Sequence, residues 1–259
     1  MRLLLWLPLL MACSVPERGS TRIIGHGGAG TAGSHPLNSG ASLAEGLSLG
    51  VDGVELDVQL TADGVLVAFH GEDLAEGTPC QGKVNALPWS ALQACAVEHG
   101  GVHHPVVRVD SFLLGAAAQH PQAEFTLDAK LFAEGDWWAY LEAYTDALAR
   151  LQADSLLAGR LVVECQVEDF LRLLHGKRPD LPLFYYATDL PSAVPTALAL
   201  GCTGITIDQA RATAEEVQGA HGAGLQVSFF GTNSAWGHRR ALSKSPDRLQ
   251  TDAPQVFAR

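Results

Sequence analysis

Apolar and polar positions alternate along the chain in two rhythms. Short apolar runs of strand length are separated by stretches in which apolar residues recur at helical spacing, from about residue 21 to the end. The runs Arg22–Gly25, Gly53–Val58, Val65–Phe69, Glu124–Asp128, Arg160–Glu164, Leu183–Tyr186, Gly204–Ile207 and Leu225–Phe230 read as strands. Helices are predicted over Ala41–Leu49, Ser111–Ala118, Asp136–Gln152, Val167–Leu174, Pro191–Ala199 and Ala212–Ala223. Strands alternating with helices imply parallel pairing, and about eight of them imply an α/β fold closed as a (β/α)8 TIM barrel.

Two places strain that reading. Only Gln59 to Gly64 lie between the second and third strands, too few for a helical crossover, so either a bare loop or an antiparallel hairpin must form there. A ninth run, Arg248–Thr251, adds one strand too many. After the third strand, residues 71–105 are rich in Gly, Pro and polar side chains, with one short helical pattern around Ala91–Ala96. This segment is expected to be a loop insertion with a functional role.

Length and composition bound the picture further. The 259 residues suffice for one large core, and 47% hydrophobic with 17% charged residues is ordinary for a globular domain. A net charge of −11 without clustered Lys or Arg argues against a nucleic-acid binder. Residues 1–20 read as an export leader with a short linker, and 21–259 as the folded domain. Arg2 precedes the apolar run Leu3–Leu10, which is too short to span a bilayer. Leu10-Met11-Ala12-Cys13 resembles a bacterial lipobox, which implies lipidation of Cys13 and a membrane-anchored lipoprotein facing the periplasm or cell exterior. In such an oxidising compartment Cys80 and Cys95 could pair, closing a loop worth on the order of 3 kcal/mol. Cys165 and Cys202, in apolar runs, read as buried thiols.

The chemistry concentrates near residue 55. Glu55 and Asp57 stand two apart on one strand and so face the same side. Two like charges on an inner face call for a cation between them, and a hard divalent ion suits oxygen donors. His26 follows the first strand, His70 ends the third, and Asp128 and Lys130 follow Phe125–Leu127. In a barrel all of these would gather at the carboxyl ends of the strands. Carboxylates for a cation flanked by two imidazoles make a hydrolytic site for a phosphate ester.

Those residues also carry a resemblance. Ile24-Gly25-His26-Gly27-Gly28, Pro36-Leu37-Asn38-Ser39, Gly50 to Val58, Thr61 to His70, Thr126 to Lys130 and the closing Thr251-Asp252-Ala253-Pro254 resemble the motifs of the glycerophosphodiester phosphodiesterase family. The likeness runs from about residue 22 to 254. It implies a TIM barrel that cleaves glycerophosphodiesters to glycerol phosphate and an alcohol. A calcium or magnesium ion would be held by Glu55, Asp57 and Asp128, with His26 and His70 as the acid/base pair. Lys130 would contact the phosphate or a metal ligand. Trp236, after the Phe229-Phe230 strand, is a candidate wall of the substrate pocket, together with Trp137 and Trp138.

Four positions depart from the family pattern. Gly27 stands where arginine is expected, removing a bidentate phosphate clamp. Leu37 replaces a Glu, Gly71 an Asp, and Asp128 a Glu. Sphingomyelinase-D-like phospholipases, relatives on the same barrel, also lack that arginine and use Asp at the third metal position. A phospholipid headgroup substrate, or attack by an internal hydroxyl, is therefore an open alternative.

Two readings from other classes compete. Gly25-His26-Gly27-Gly28-Ala29-Gly30 matches the GxGxxG dinucleotide fingerprint, with an acid about twenty-five residues on. That fingerprint needs a helix opening at its third glycine, and Thr31 to Gly40, containing Pro36, interrupts one. A non-catalytic, lipid-anchored binding protein would explain the lost arginine but not the retained histidines and acids. His99, His103 and His104 are expected in a solvated loop.

Overall fold

The computed structural model describes residues 17–258; Cys13 and the leader lie outside the described residues. In chain order, β1 (Arg22–Gly25) leads through α1 (Gly40–Ser48) to β2 (Gly53–Leu60). An excursion follows, made of β3 (Leu66–Ala68), the short α2 (Trp89–Leu92), β4 (Ala96–His99), β5 (Val102–Pro105) and β6 (Val107–Arg108). The chain then alternates regularly through α3 (Val109–Gln119), β7 (Glu124–Ala129), α4 (Trp137–Gln152), β8 (Leu161–Cys165), α5 (Glu168–Lys177) and β9 (Leu183–Tyr186). It continues with α6 (Leu190–Ala199), β10 (Gly204–Asp208), α7 (Ala214–Gly222), β11 (Gln226–Thr232), α8 (Ala235–Leu242) and β12 (Arg248–Thr251).

The barrel is β1, β2, β7, β8, β9, β10, β11 and β12, all parallel, closed where β1 pairs with both β12 and β2. This corrects the strand assignment within the expected (β/α)8 fold. The run around Val67 is no barrel stave. It turns back antiparallel on β2, with Val58 opposite Ala68, and passes its other edge to β6. The ninth run, Arg248–Thr251, is the stave that closes the barrel. Six residues cannot carry a parallel crossover, so the short turn enforces the hairpin.

The insertion is also more than a loop. It holds the β4–β5 hairpin, two turns of 3-10 helix at Leu74–Glu76 and Val84–Ala86, and a Cys80–Cys95 disulfide. Val67, Phe69, Leu74, Val84, Leu92, Cys95 and Val106 bury a small core of their own.

Burial follows the strand period. All of β2 is buried: Val54, Leu56, Val58 and Leu60 join the main core, while Glu55, Asp57 and Gln59 alternate with them on the barrel side. Tyr144 of α4 clamps this stave from outside by donating its hydroxyl to the Val58 carbonyl, 2.5 Å away. Helix starts are set by side-chain caps: Ser39 accepts from Ser42 N–H, Asp136 from Ala139, Asp189 from Ser192, and Thr213 and Glu216 form a capping box. Barrel interiors usually fill with branched apolar side chains, but this one is polar. Arg248 pairs with Glu124 and donates to Thr126 Oγ1, and Gln250 and Thr206 both donate to Glu164.

Candidate active site

Strand register builds the site. Asp57 stands opposite Asp128, and Asp128 opposite Glu164, so three neighbouring staves deliver acids at one level near their carboxyl ends. Carboxylate oxygens of Glu55, Asp128 and Glu164 lie within 4.8 Å of one another. Glu164 is the ligand candidate that sequence reasoning missed. It is nearly fully buried, and its two oxygens accept from Gln250 Nε2 at 2.9 and 2.8 Å and from Thr206 Oγ1 at 2.7 Å.

Asp57 sits beside this trio rather than within it. Its oxygens take Lys130 Nζ at 3.0 Å and Asn38 Nδ2 at 2.6 Å, while its own N–H donates to Asn38 Oδ1 at 2.9 Å. Lys130 bridges onward to Asp128 at 2.5 Å. Of the expected ligands Glu55, Asp57 and Asp128, the lysine ammonium lies against Asp57 and Asp128, and Glu164 joins Glu55 and Asp128 as a further candidate. A set of close, hard oxygen donors with two buried members fits a divalent cation of the calcium or magnesium type.

Charge crowding marks the same group. Burial, reinforced by the charge of Asp57, pushes the Glu55 carboxyl well above its usual range. Burial and Glu164 raise Asp128 to about 7. Burial pulls against the Lys130 ammonium, but Asp128 and Asp57 outweigh it and hold its pKa high.

His26 stands at the edge of the carboxylates. Its Nδ1 is 2.8 Å from Asp252 Oδ1, and its Nε2 is 3.9 Å from Glu55 Oε2. Burial alone would lower this imidazole, yet the Asp252 hydrogen bond and the Glu55 charge raise it to about 9. Asp252 is held below its usual value by the same bond, against the upward pull of burial. It lies 226 residues from His26 in sequence, and only the closing stave brings them together.

Beside His26, Gly27 has φ +52° and donates its N–H to Glu55 Oε2 at 2.8 Å. A Cβ there would stand 2.7 Å from Leu37 Cβ, so the two departures from the family pattern are neighbours in space. The glycine turn does not open a helix: α1 begins only at Gly40. This removes the dinucleotide geometry.

His70 is exposed and follows an antiparallel strand rather than a barrel stave, a correction to its expected place. It lines a cavity together with Asn38, which hydrogen-bonds Asp57, so it still faces the site from the insertion side. Lys130 and Asp128 line a second cleft with Tyr186, which stacks on Phe230. Trp236 lies outside both cavities, 69% exposed, with the Arg240 guanidinium over its ring. The histidines expected in a solvated loop divide: His99 and His103 are exposed on the β4–β5 hairpin, while His104 is buried and lines the His70 cavity.

Comparisons with known proteins bear on the family and the fold. The sequence model described as the glycerophosphoryl diester phosphodiesterase family matches residues 29–256. An uncharacterized protein, YqiK of Bacillus subtilis strain 168, is 44% identical over 80 residues, covering 31% of this chain and 32% of that protein. A glycerophosphodiester phosphodiesterase of Bacillus altitudinis is 37% identical over 79 residues, covering 30% and 31% respectively. The chain therefore aligns with about a third of the length of these curated relatives. Among solved structures, an Oleispira antarctica phosphodiesterase in complex with the product sn-glycerol-3-phosphate superposes with a TM-score of 0.76 at 22% identity, covering 90% of this chain and 94% of that one. A glycerophosphodiester phosphodiesterase from Agrobacterium tumefaciens str. C58 gives 0.73 at 21% identity, covering 92% and 98%. At these identities the likeness establishes a shared fold.

Proposed function

The chain belongs to the glycerophosphoryl diester phosphodiesterase family, and from that premise we propose that it hydrolyses glycerophosphodiesters to glycerol phosphate and an alcohol. The observation that carries the proposal is the His26–Asp252 pair at 2.8 Å, set against the edge of a buried carboxylate group. A divalent cation, calcium or magnesium, would be held by Glu55, Asp128 and Glu164, with Asp57 beside them. When bound, it would neutralise charge on the phosphoryl oxygens.

In this reading His26 takes the proton from the attacking water as its oxygen bonds to phosphorus. Asp252 steadies the imidazolium that results, and fixes the ring so that Nε2 faces the reacting group. The Asp252 hydrogen bond and then the charge of Glu55 do most to raise His26, so compensating Glu55 would draw the ring part of the way back toward the neutral form that a base requires. His70 gives its proton to the departing alkoxide as the phosphorus–oxygen bond breaks. Lys130, anchored between Asp57 and Asp128, supplies positive charge beside the phosphate in place of the clamp that Gly27 lacks. Trp236 is proposed only as an outer contact for substrate.

The purified protein, supplied with glycerophosphocholine, is expected to release glycerol phosphate, to stop with chelator, and to lose that activity in His26→Ala. A folded protein that cleaves no diester with any divalent cation would leave the lipid-anchored binding protein instead. Gly27 and Asp128 support a second reading, transfer to an internal hydroxyl as in the sphingomyelinase-D-like relatives. A cyclic phosphate product from lysophospholipid or sphingomyelin would establish it. Export and lipid attachment at Cys13 belong to the same proposal, and loss of fatty-acid labelling in Cys13→Ala is the expected result.

A further inference from the structure

Past His70 and Asn38 lies a cavity of about 180 Å³, shared between the barrel rim and the insertion. Its far wall carries His104, contributed by β5. That residue is only 8% exposed, and its ring makes no hydrogen bond to the described residues, although its nitrogens are not fully sealed. It leans instead on the His35 ring, with centroids 5.4 Å apart. The ring nitrogens of His104 are not among the sealed, unpartnered polar atoms of the described residues, so they stay open to a partner from the cavity. Because this ring faces a cavity that reaches His70, a ligand atom can supply what the protein does not.

The rest of the lining limits what that ligand can be. Leu37, Phe69, Val97 and Val106 present apolar surface. Glu76 is the one carboxylate at the rim, and it already accepts the Asp73 N–H at 2.9 Å to cap its helical turn. Phe69 is the one aromatic ring there other than imidazole, so the aromatic cage that quaternary ammonium groups favour is missing from this lining. A neutral imidazole can both donate to and accept from a hydroxyl.

Resting on the phosphodiesterase reading above, we infer that this cavity receives the leaving alcohol and that His104 reads a hydroxyl on it. The preferred alcohol is then a small polyol of about glycerol size. His104 is a specificity-determining residue, separate from the proton transfers of His26 and His70.

The test is a pair of diesters with the same glycerol phosphate half, one leaving as glycerol and the other as propanol. The wild-type protein is expected to favour the glycerol ester by about tenfold or more in kcat/KM. His104→Ala is expected to bring that ratio to within about twofold by slowing the glycerol ester alone, and His104→Gln, which keeps a donor and an acceptor, to retain part of it. An unchanged ratio in His104→Ala overturns the inference, as does an equal loss on both esters or the absence of any preference in the wild type. If the wild type turns over neither ester, the phosphodiesterase reading fails. Calorimetric binding of the same two esters to wild type and His104→Ala then still decides the subsite, and equal affinities in the two proteins overturn it.

Discussion

The mouth of this molecule has two sides. On the barrel side every chemistry-bearing group is fastened: His26 to Asp252, Asp57 to Asn38 and Lys130, Glu164 to Gln250 and Thr206. On the insertion side, His70 is exposed and His104 leans on a ring without a hydrogen bond. The barrel side rests on the main core, whereas the insertion side rests on a small core and one disulfide. Fixed partners hold geometry for a reaction that tolerates little displacement, and open donors leave room for a ligand to complete them. In the proposed reading the staves hold the base and the cation site, while the insertion side brings the acid His70 and the choice of alcohol.

Removing the cation with chelator is the strongest expected perturbation, because it leaves the acids of the barrel side uncompensated. Turnover should vanish and return on adding calcium or magnesium, and thermal melting should rise with added ion in step with occupancy. Next comes His26→Ala, expected to lower kcat by about 10³-fold. Asp252→Asn is expected to cost about 10²-fold in kcat and to leave the KM for the diester unchanged, since it acts only through His26. A change confined to KM in either variant would erase the proposed division.

Opening the disulfide should act on the other side. Cys80→Ser with Cys95→Ser is expected to destabilise the insertion by about 3 kcal/mol, raising KM severalfold while kcat holds. Steady-state kinetics beside local proteolysis would check this, and a fall in kcat at constant KM would mean that the insertion acts through His70 alone and not through alcohol binding.

The smallest test probes acid resistance of the barrel side. His238 is fully buried, donates or accepts only toward Thr251 Oγ1 at 2.6 Å, and has an unpartnered Nδ1. Burial lowers its pKa from 6.5 to about 4. A depressed imidazole leaves the unfolded chain binding more protons, so stability is full above pH 6.5 and declines as pH falls toward 4. The slope is about 1.4 kcal/mol per pH unit. His238→Gln should flatten that part of the melting profile.

Much of the fold was legible because parallel staves buried on both faces read as apolar runs. The closing stave was harder to place. Arg248 and Gln250 aim at a polar interior, so Arg248–Thr251 looks less like a strand than Val65–Phe69 does. In the site, Glu55, Asp57, Asp128 and the two histidines announced themselves by spacing. Glu164 did not, since one acid at the end of an apolar run looks the same whether it caps a turn or faces a cation. Asp252 was visible only as part of a motif, because its partnership with His26 is made by barrel closure. His104 lay in a segment whose Gly and polar content hid a hairpin with a covered face.

The lateness of the closing stave gives the protein a built-in order of assembly. A chain still short of residue 248 would leave β1 and β11 as open edges and would lack Gln250 and Asp252. Synthesis runs from the amino end, so the base pair His26–Asp252 is the last part of the machinery to exist. Copies that stop before the closing stave would lack the partner of the proposed base, and would be prone to stick by their unpaired edges.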